Sequence, residues 1–214
     1  MTKEKRISRI ESQKKNQKRI SVFLDGEFAF GLDQETFFRF GLKKGDILNK
    51  KKLNQILDSE KKIKVKNAAL NFLSYRARSE KEIKDRLKRK GYSRKLIDEV
   101  ISDLKRLNFL NDYQFALNWI KDRLDHKPRG EKLLRAELLK LGIKEEFIEK
   151  SLEEAYPKNN EKEIALGVLR KRKKRYENLE SRLAKKRMSD FLLRRGFSYE
   201  VVKEVLEDFF ETED

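Results

Sequence analysis

The amino-acid sequence predicts a mainly α-helical protein, with three tandem three-helix repeats forming an elongated curved array behind a small N-terminal β-hairpin and strand region. Three observations predict it. From about Lys64 onward apolar residues recur at intervals of three and four, whereas strict alternation is confined to the first part of the chain. A pattern anchored on Gly91, Gly142 and Gly196 occurs three times. Charged residues make up 43% of the chain and the hydrophobic class 37%, a balance that suits helices with one buried stripe and a long polar back.

The N-terminal elements follow from alternation and turn chemistry. Ile7-Ser8-Arg9-Ile10 is a short apolar pattern, and Ile20, Val22 and Leu24 alternate along the next segment. Asp25-Gly26 then marks a hairpin, with Phe28, Phe30 and Leu32 at period two beyond it. A two-residue loop would set Val22 opposite Ala29. A three-residue loop, Leu24-Asp25-Gly26, sets Val22 opposite Phe28 and Ile20 opposite Phe30, and this register is preferred because it gathers the large apolar residues on one face. Asp33-Gln34-Glu35 opens a helix that Gly41 closes, and Phe23, Phe37, Phe38 and Phe40 are expected to tie hairpin to helix. Residues 42–63 are polar, with room for a short helix around Leu53–Leu57.

The repeat defines the remainder. Eight residues before the three glycines stand Ile83, Leu134 and Met188; four before stand Leu87, Leu138 and Leu192. One after stand Tyr92, Ile143 and Phe197, six after Ile97, Ile148 and Val202, and ten after Ile101, Leu152 and Leu206. Each unit is thus a helix stopped by a glycine in the left-handed C′ position, a tight turn, and a second helix. Ser79-Glu80-Lys81-Glu82 is a capping box for the first unit's middle helix, and Ser93 and Ser198 stand where they can cap third helices, while Lys144 cannot. Leading helices are expected at about Asn67–Tyr75, Asp112–Leu124 and Glu161–Tyr176. The implied organisation is 1–63 for the strand region, then repeats at 64–110, 111–157 and 158–214. Trp119, Phe115, Tyr92, Phe147, Phe197 and Phe209 fall on apolar stripes and read as core.

Composition narrows the function. The chain has no cysteine, which excludes disulfides, thiolate nucleophiles and cysteine-based metal sites. No apolar run approaches a membrane span, the opening MTKEKRISRIE lacks a signal-peptide core, and a cytoplasmic protein without a membrane partner is expected. The lone histidine, His126, reads as a surface residue. Asp122/Asp125 and Glu145-Glu146/Glu149 have helical spacings that suit charge pairing as well as metal binding. Neither a GxxxxGK[ST] loop nor a GxGxxG fingerprint occurs. No enzyme and no cofactor is expected.

The net charge is +17, and residues 61–110 hold 16 Lys+Arg against 6 Asp+Glu. That focus favours a polyanionic partner, since neutralised phosphates release counterions. Ile83 and Leu87 define the inward stripe of the first middle helix, which turns Lys81, Lys84, Lys88 and Arg89 sideways or outward. With Arg76, Arg78, Lys90, Arg94 and Lys95 they compose a candidate basic ridge for filament or DNA binding. A second run, Arg170-Lys171-Arg172-Lys173-Lys174-Arg175, placed on a helix, surrounds its axis and serves solvation as well as a phosphate grip.

Leu73-Ser74-Tyr75-Arg76-Ala77-Arg78-Ser79-Glu80-Lys81-Glu82-Ile83 followed by Leu87-Lys88-Arg89-Lys90-Gly91 resembles the RecX regulatory family. So do Leu107-Asn108-Phe109-Leu110-Asn111-Asp112-Tyr113-Gln114-Phe115-Ala116 and the Gly130…Leu133-Leu134…Glu137-Leu138…Leu141-Gly142-Ile143 pattern. The resemblance covers about residues 64–214, is strongest over 70–155, and extends to the hairpin of longer members. It implies a modulator, mostly an inhibitor, of the RecA recombinase in recombination, DNA repair and the SOS response. Such a protein lodges as a monomer in the groove of the RecA–single-stranded DNA filament, with double-stranded DNA as a further ligand. A stand-alone basic DNA-binding protein using helix–turn–helix pairs is the alternative.

Overall fold

The computed structural model describes residues 4–14, 16–156 and 161–211. The boundary expected at 157/158 lies outside them. Two compact units emerge, Met1–Arg76 with Arg86–Arg106, and Ala77–Asp85 with Leu107–Asp214.

The first unit opens with strands β1 (Lys5–Gln13), β2 (Asn16–Leu24) and β3 (Glu27–Asp33) and the short β4 (Ile47–Leu48). They form an antiparallel sheet in the order β3-β2-β1-β4. Its inward face carries Ile7, Ile20, Val22, Leu24, Leu32 and Leu48, packed with Leu42 and Ile56. The expected hairpin register is incorrect. Leu24 pairs with Glu27 and Phe23 with Phe28, so the loop is the two-residue Asp25-Gly26 turn. Both turn residues have positive φ, 50° and 93°, as in the primed turns that match strand twist. Beyond Phe28 the register shifts, and Val22 pairs with Phe30 and Ile20 with Leu32. Ala29 is the extra residue of a bulge, so Phe28 and Phe30 turn to opposite faces despite their even spacing. Phe28 is left exposed, in edge contact with Phe23, over which the Arg9 guanidinium sits at 3.9 Å. Phe23 therefore does not join the hairpin to the following helix, and Phe38 is also exposed; Phe37 and Phe40 make that connection.

Helix α1 (Gln34–Phe40) starts at the Asp33 cap, whose carboxylate accepts from the Glu35 N–H, and stops at left-handed Gly41. Helix α2 (Lys50–Tyr75) is the larger correction: the short helix expected near 53–57 and the leading helix expected from 67 are one helix of 26 residues. Asn49 caps it by accepting from the Lys52 N–H. Its stripe was masked because a charged residue holds an inward slot: Leu53 and Ile56 are followed by Glu60, then Ile63. Glu60 is 3% exposed and accepts from Arg19 Nη2 at 3.0 Å and the Asp33 N–H at 2.7 Å, so its buried charge is matched. Helix α4 (Arg94–Arg106) packs on α2 through Ile97, Val100, Ile101 and Leu104. The Lys62 ammonium bonds Asp103 at 2.7 Å, holding that carboxyl below its ordinary range.

Between α2 and α4 runs helix α3 (Glu80–Arg89), whose first turns belong to the second unit. That unit continues with α5 (Asp112–His126), α6 (Glu131–Lys140), α7 (Glu145–Ala155), α8 (Glu161–Arg170), α9 (Ser181–Arg194) and α10 (Tyr199–Glu211). Of the anchored positions, Ile83, Leu134, Leu87, Leu138 and Leu192 are fully buried and Met188 nearly so, while Tyr92 and Leu206 are half-buried. Gly91, Gly142 and Gly196 have φ of 82°, 81° and 86°. At each, the glycine N–H bonds the carbonyl three residues back and the next residue's N–H bonds the one five back, the Schellman pattern. The Ser79–Glu82 capping box closes at 3.2 and 3.3 Å, and Ser198 Oγ accepts from the Val201 N–H.

Middle helices meet end to end within the second unit. Ser79, at the start of α3, donates its hydroxyl to the Leu141 carbonyl at the end of α6 at 2.7 Å. Gly130, at the start of α6, donates its N–H to the Arg195 carbonyl at the end of α9 at 2.9 Å. Each joint sets a helix N-terminus against the carbonyl-rich C-terminus of the next module's middle helix, a favourable alignment of dipoles. The backbones approach so closely that a Cβ on Gly130 would stand 2.2 Å from the Gly196 carbonyl.

Candidate polyanion interface

The nine predicted ridge cations divide between the two units. Arg78, Lys81 and Lys84 belong to the second unit, and Arg76, Lys88, Arg89, Lys90, Arg94 and Lys95 to the first. In the second unit the three are engaged internally. The Arg78 side chain is only 9% exposed and lies beside Glu82. Lys81 Nζ donates to the Lys140 carbonyl at 2.9 Å, where the α6 C-terminus favours a cation. Lys84 pairs with Glu80 at 2.9 Å. In the first unit the six cations are exposed. Lys90 lies over Phe72, Arg94 approaches Asp98 at 3.8 Å, and Lys95 lines a cleft with Arg39, Lys61, Lys62, Asp58 and Glu99. Helical spacing turned Lys81, Lys84, Lys88 and Arg89 sideways or outward; the neighbouring acids Glu80 and Glu82 engage Lys84 and Arg78, and the end of α6 engages Lys81.

The run at 170–175 differs from its expected form. Helix α8 ends at Arg170, and the chain continues through a turn into a short 3-10 helix, Lys173–Arg175, before α9. The connection to the middle helix is thus ten residues long, 171–180, against four in the other modules, 76–79 and 127–130. Residues 170–187 carry ten Lys+Arg and two acids. Arg170, Lys171, Lys174, Arg175, Arg182, Lys186 and Arg187 are exposed, and none forms an ion pair among the described residues. Arg172 stacks over Phe191 at 4.2 Å and Lys185 over Phe210 at 4.7 Å. The acidic α10 that follows offsets much of this positive charge within the third module. The extra length of the connection was the readable signal.

Other sequence candidates fall on structural roles. The Arg135 guanidinium is held by Glu131, Glu145 and Glu149, which raises its pKa further through those bonds, so the acidic spacing of α7 serves an ion-pair network. His126 is exposed, 3.4 Å from the Asp122 carboxylate. Among the described residues no three acidic or histidine side chains gather as a metal site, and no helix is long and apolar enough to cross a membrane. Sequence reasoning missed Glu137, which accepts from Trp119 Nε1 at 2.9 Å and pairs with Arg123 and Arg129, and Arg195, which donates to the Pro128 carbonyl. Burial lowers the pKa of Arg129 and Arg195, helped by neighbouring guanidinium charge.

The arrangement defines a class: a strand-led protein of three-helix modules with a cationic surface. Its segments match four family models in order. Residues 5–49 match the regulatory protein RecX N-terminal domain, and 66–104, 111–152 and 160–206 match the first, second and third three-helix domains of RecX. Regulatory protein RecX of Clostridium botulinum (strain Alaska E43 / Type E3) is 33% identical over 205 residues, covering 95% of both chains. That of Clostridium acetobutylicum is 32% identical, with 97% of both covered. A crystal structure of regulatory protein RecX superposes with a TM-score of 0.79 at 26% identity, over 95% of this chain and 99% of that one. The crystal structure of RecX from Lactobacillus salivarius gives 0.64 at 28% identity, over 70% of this chain and 97% of that one. The chain belongs to the RecX family of regulatory proteins.

Proposed function

We propose that this protein binds the filament of RecA recombinase on single-stranded DNA and restrains its activity without performing covalent chemistry. The observation that carries the reading is the complete, ordered set of RecX segments. Exposed cations in two separate modules support it, since several weak contacts along a repetitive filament add as avidity. The stand-alone helix–turn–helix reading is disfavoured by charge. In two of the three pairs the helix that would enter a groove carries acid in its first turn, Glu145 and Glu146 in α7 and Glu200 in α10, and carboxylates there repel phosphate; only α4 begins with cations, Arg94 and Lys95. The test is RecA's DNA-dependent ATPase with and without this protein at stoichiometric amounts. Inhibition at low and moderate salt is expected; unchanged turnover at both overturns the proposal. A Lys88/Arg89/Lys90/Arg94→Glu variant should inhibit less while retaining its helical signal.

A further inference from the structure

We infer that the third module's basic connection and the start of α9, residues 171–187, form a built grip for the phosphate backbone of single-stranded nucleic acid. This deepens the proposed function by assigning the DNA contact to a surface, and its test omits the recombinase so that the two can fail separately.

The connection is an ordered element. Tyr176 is 9% exposed in the third-module core, and Leu179 packs against the same core. The Arg172 N–H bonds the Leu169 carbonyl, the Tyr176 N–H bonds the Lys173 carbonyl, and the Leu179 N–H bonds the Tyr176 carbonyl. Two apolar anchors thus hold the strip down while its cations face solvent. A fixed strip avoids the ordering cost that a flexible basic tail would meet on binding.

Five of the cations also lack an acidic partner among the described residues. Lys171, Lys174, Arg175, Arg182 and Lys186 have no ion pair among the described residues, in contrast to Lys81, Lys84 and Arg78 at the first middle helix. Keeping like charges together costs stability through repulsion, which a bound polyanion would relieve. Arginine and lysine alternate, combining bidentate phosphate contacts with point charges.

Geometry selects a pliable strand over a rigid duplex. Ala184, Met188 and Leu192 set the inward face of α9. At 100° per residue Arg182 and Lys186 lie on the opposite line, one turn apart, with Lys185 and Arg187 flanking to either side. Cations spread this widely around an axis meet a chain that can bend over the helix better than phosphates fixed on a straight duplex.

The test uses the full chain and a fluorescent single-stranded oligonucleotide, read by anisotropy from low to moderate salt. The variant Lys171→Gln/Lys174→Gln/Arg175→Gln/Arg182→Gln/Lys186→Gln changes only exposed side chains, and far-UV circular dichroism checks its helices. Affinity should fall at least tenfold at 0.1 M salt, and the slope of log K against log salt should flatten by about 0.7 per lost contact, about 3.5 in all. The charge-matched variant Lys88→Gln/Arg89→Gln/Lys90→Gln/Arg94→Gln/Lys95→Gln should lose less. Unchanged binding by the first variant, a greater loss in the second, a loss confined to duplex, or competition by polyglutamate as effective as by DNA at equal charge would each overturn the assignment.

Discussion

Alanine substitution of three glycines separates backbone strain from module joining. Gly91 and Gly196 occupy the same left-handed position, with φ of 82° and 86°, but a Cβ on Gly91 meets nothing within 4 Å. Gly91→Ala should therefore cost the left-handed penalty alone, about 1–2 kcal/mol. A Cβ on Gly196 would stand 2.4 Å from Leu133 Cβ and 2.5 Å from its backbone nitrogen. Gly130 is the informative member, because its φ of −70° suits alanine while its Cβ would overlap the Gly196 backbone. Backbone cannot rotate away as a side chain can, so the joint must open by about an ångström. That movement adds overpacking of about 1–3 kcal/mol to the loss of the Gly130–Arg195 hydrogen bond, about 1 kcal/mol. The expected order of destabilisation is Gly196→Ala, then Gly130→Ala at about 2–4 kcal/mol, then Gly91→Ala. Urea unfolding followed at 222 nm measures it. Gly130→Ala within 0.5 kcal/mol of the parent protein would refute the close backbone joint, a threshold set by the usual effect of surface changes.

Two further substitutions probe the carboxylates of the buried Glu60 and the half-buried Glu161. Glu60→Ala removes the acidic partner of Arg19 and the acceptor of the Asp33 N–H; because Arg19 keeps its bond to the Gly31 carbonyl and some solvent contact, urea unfolding should show a loss of about 2–3 kcal/mol, below the range for fully buried pairs, and a change under 0.5 kcal/mol would contradict the role given to Glu60. Glu161 sits at the start of α8 beside the buried Tyr156 hydroxyl, which closes no hydrogen bond of ordinary geometry with it, and burial raises the pKa of both groups. A raised carboxyl pKa means the folded chain holds the proton more tightly, so its stabilising contribution is complete below the ordinary Glu value and lost as pH rises through the folded value. Glu161→Gln should gain stability relative to the parent as pH rises from about 4 to neutrality; a parallel pair of stability–pH curves would show that Glu161 is not perturbed.

Much of the fold was legible because its signals are local or periodic. Gly91, Gly142 and Gly196 each stop a helix through bonds reaching no further than five residues back, and Ser79 and Glu82 cap one within a single turn. The regular offsets of Ile83, Leu134 and Met188 exposed three copies of one packing unit. Alternation found the strands around Asp25-Gly26 but not their register, since the bulge at Ala29 depends on which face the whole sheet buries. Helix α2 escaped notice because Glu60 holds a core position only by virtue of Arg19, 41 residues away. The cationic surface is legible in outline, whereas the partners of its individual side chains are not. Charge density is a property of composition, but whether a given Lys or Arg faces solvent depends on what distant segments bring beside it, as the Lys140 carbonyl is brought to Lys81, 59 residues earlier. Helix stops, caps and repeats were therefore written in neighbouring residues, whereas strand register, the joints between modules and the set of available cations were settled by contacts between residues far apart in the chain, which no local pattern encodes.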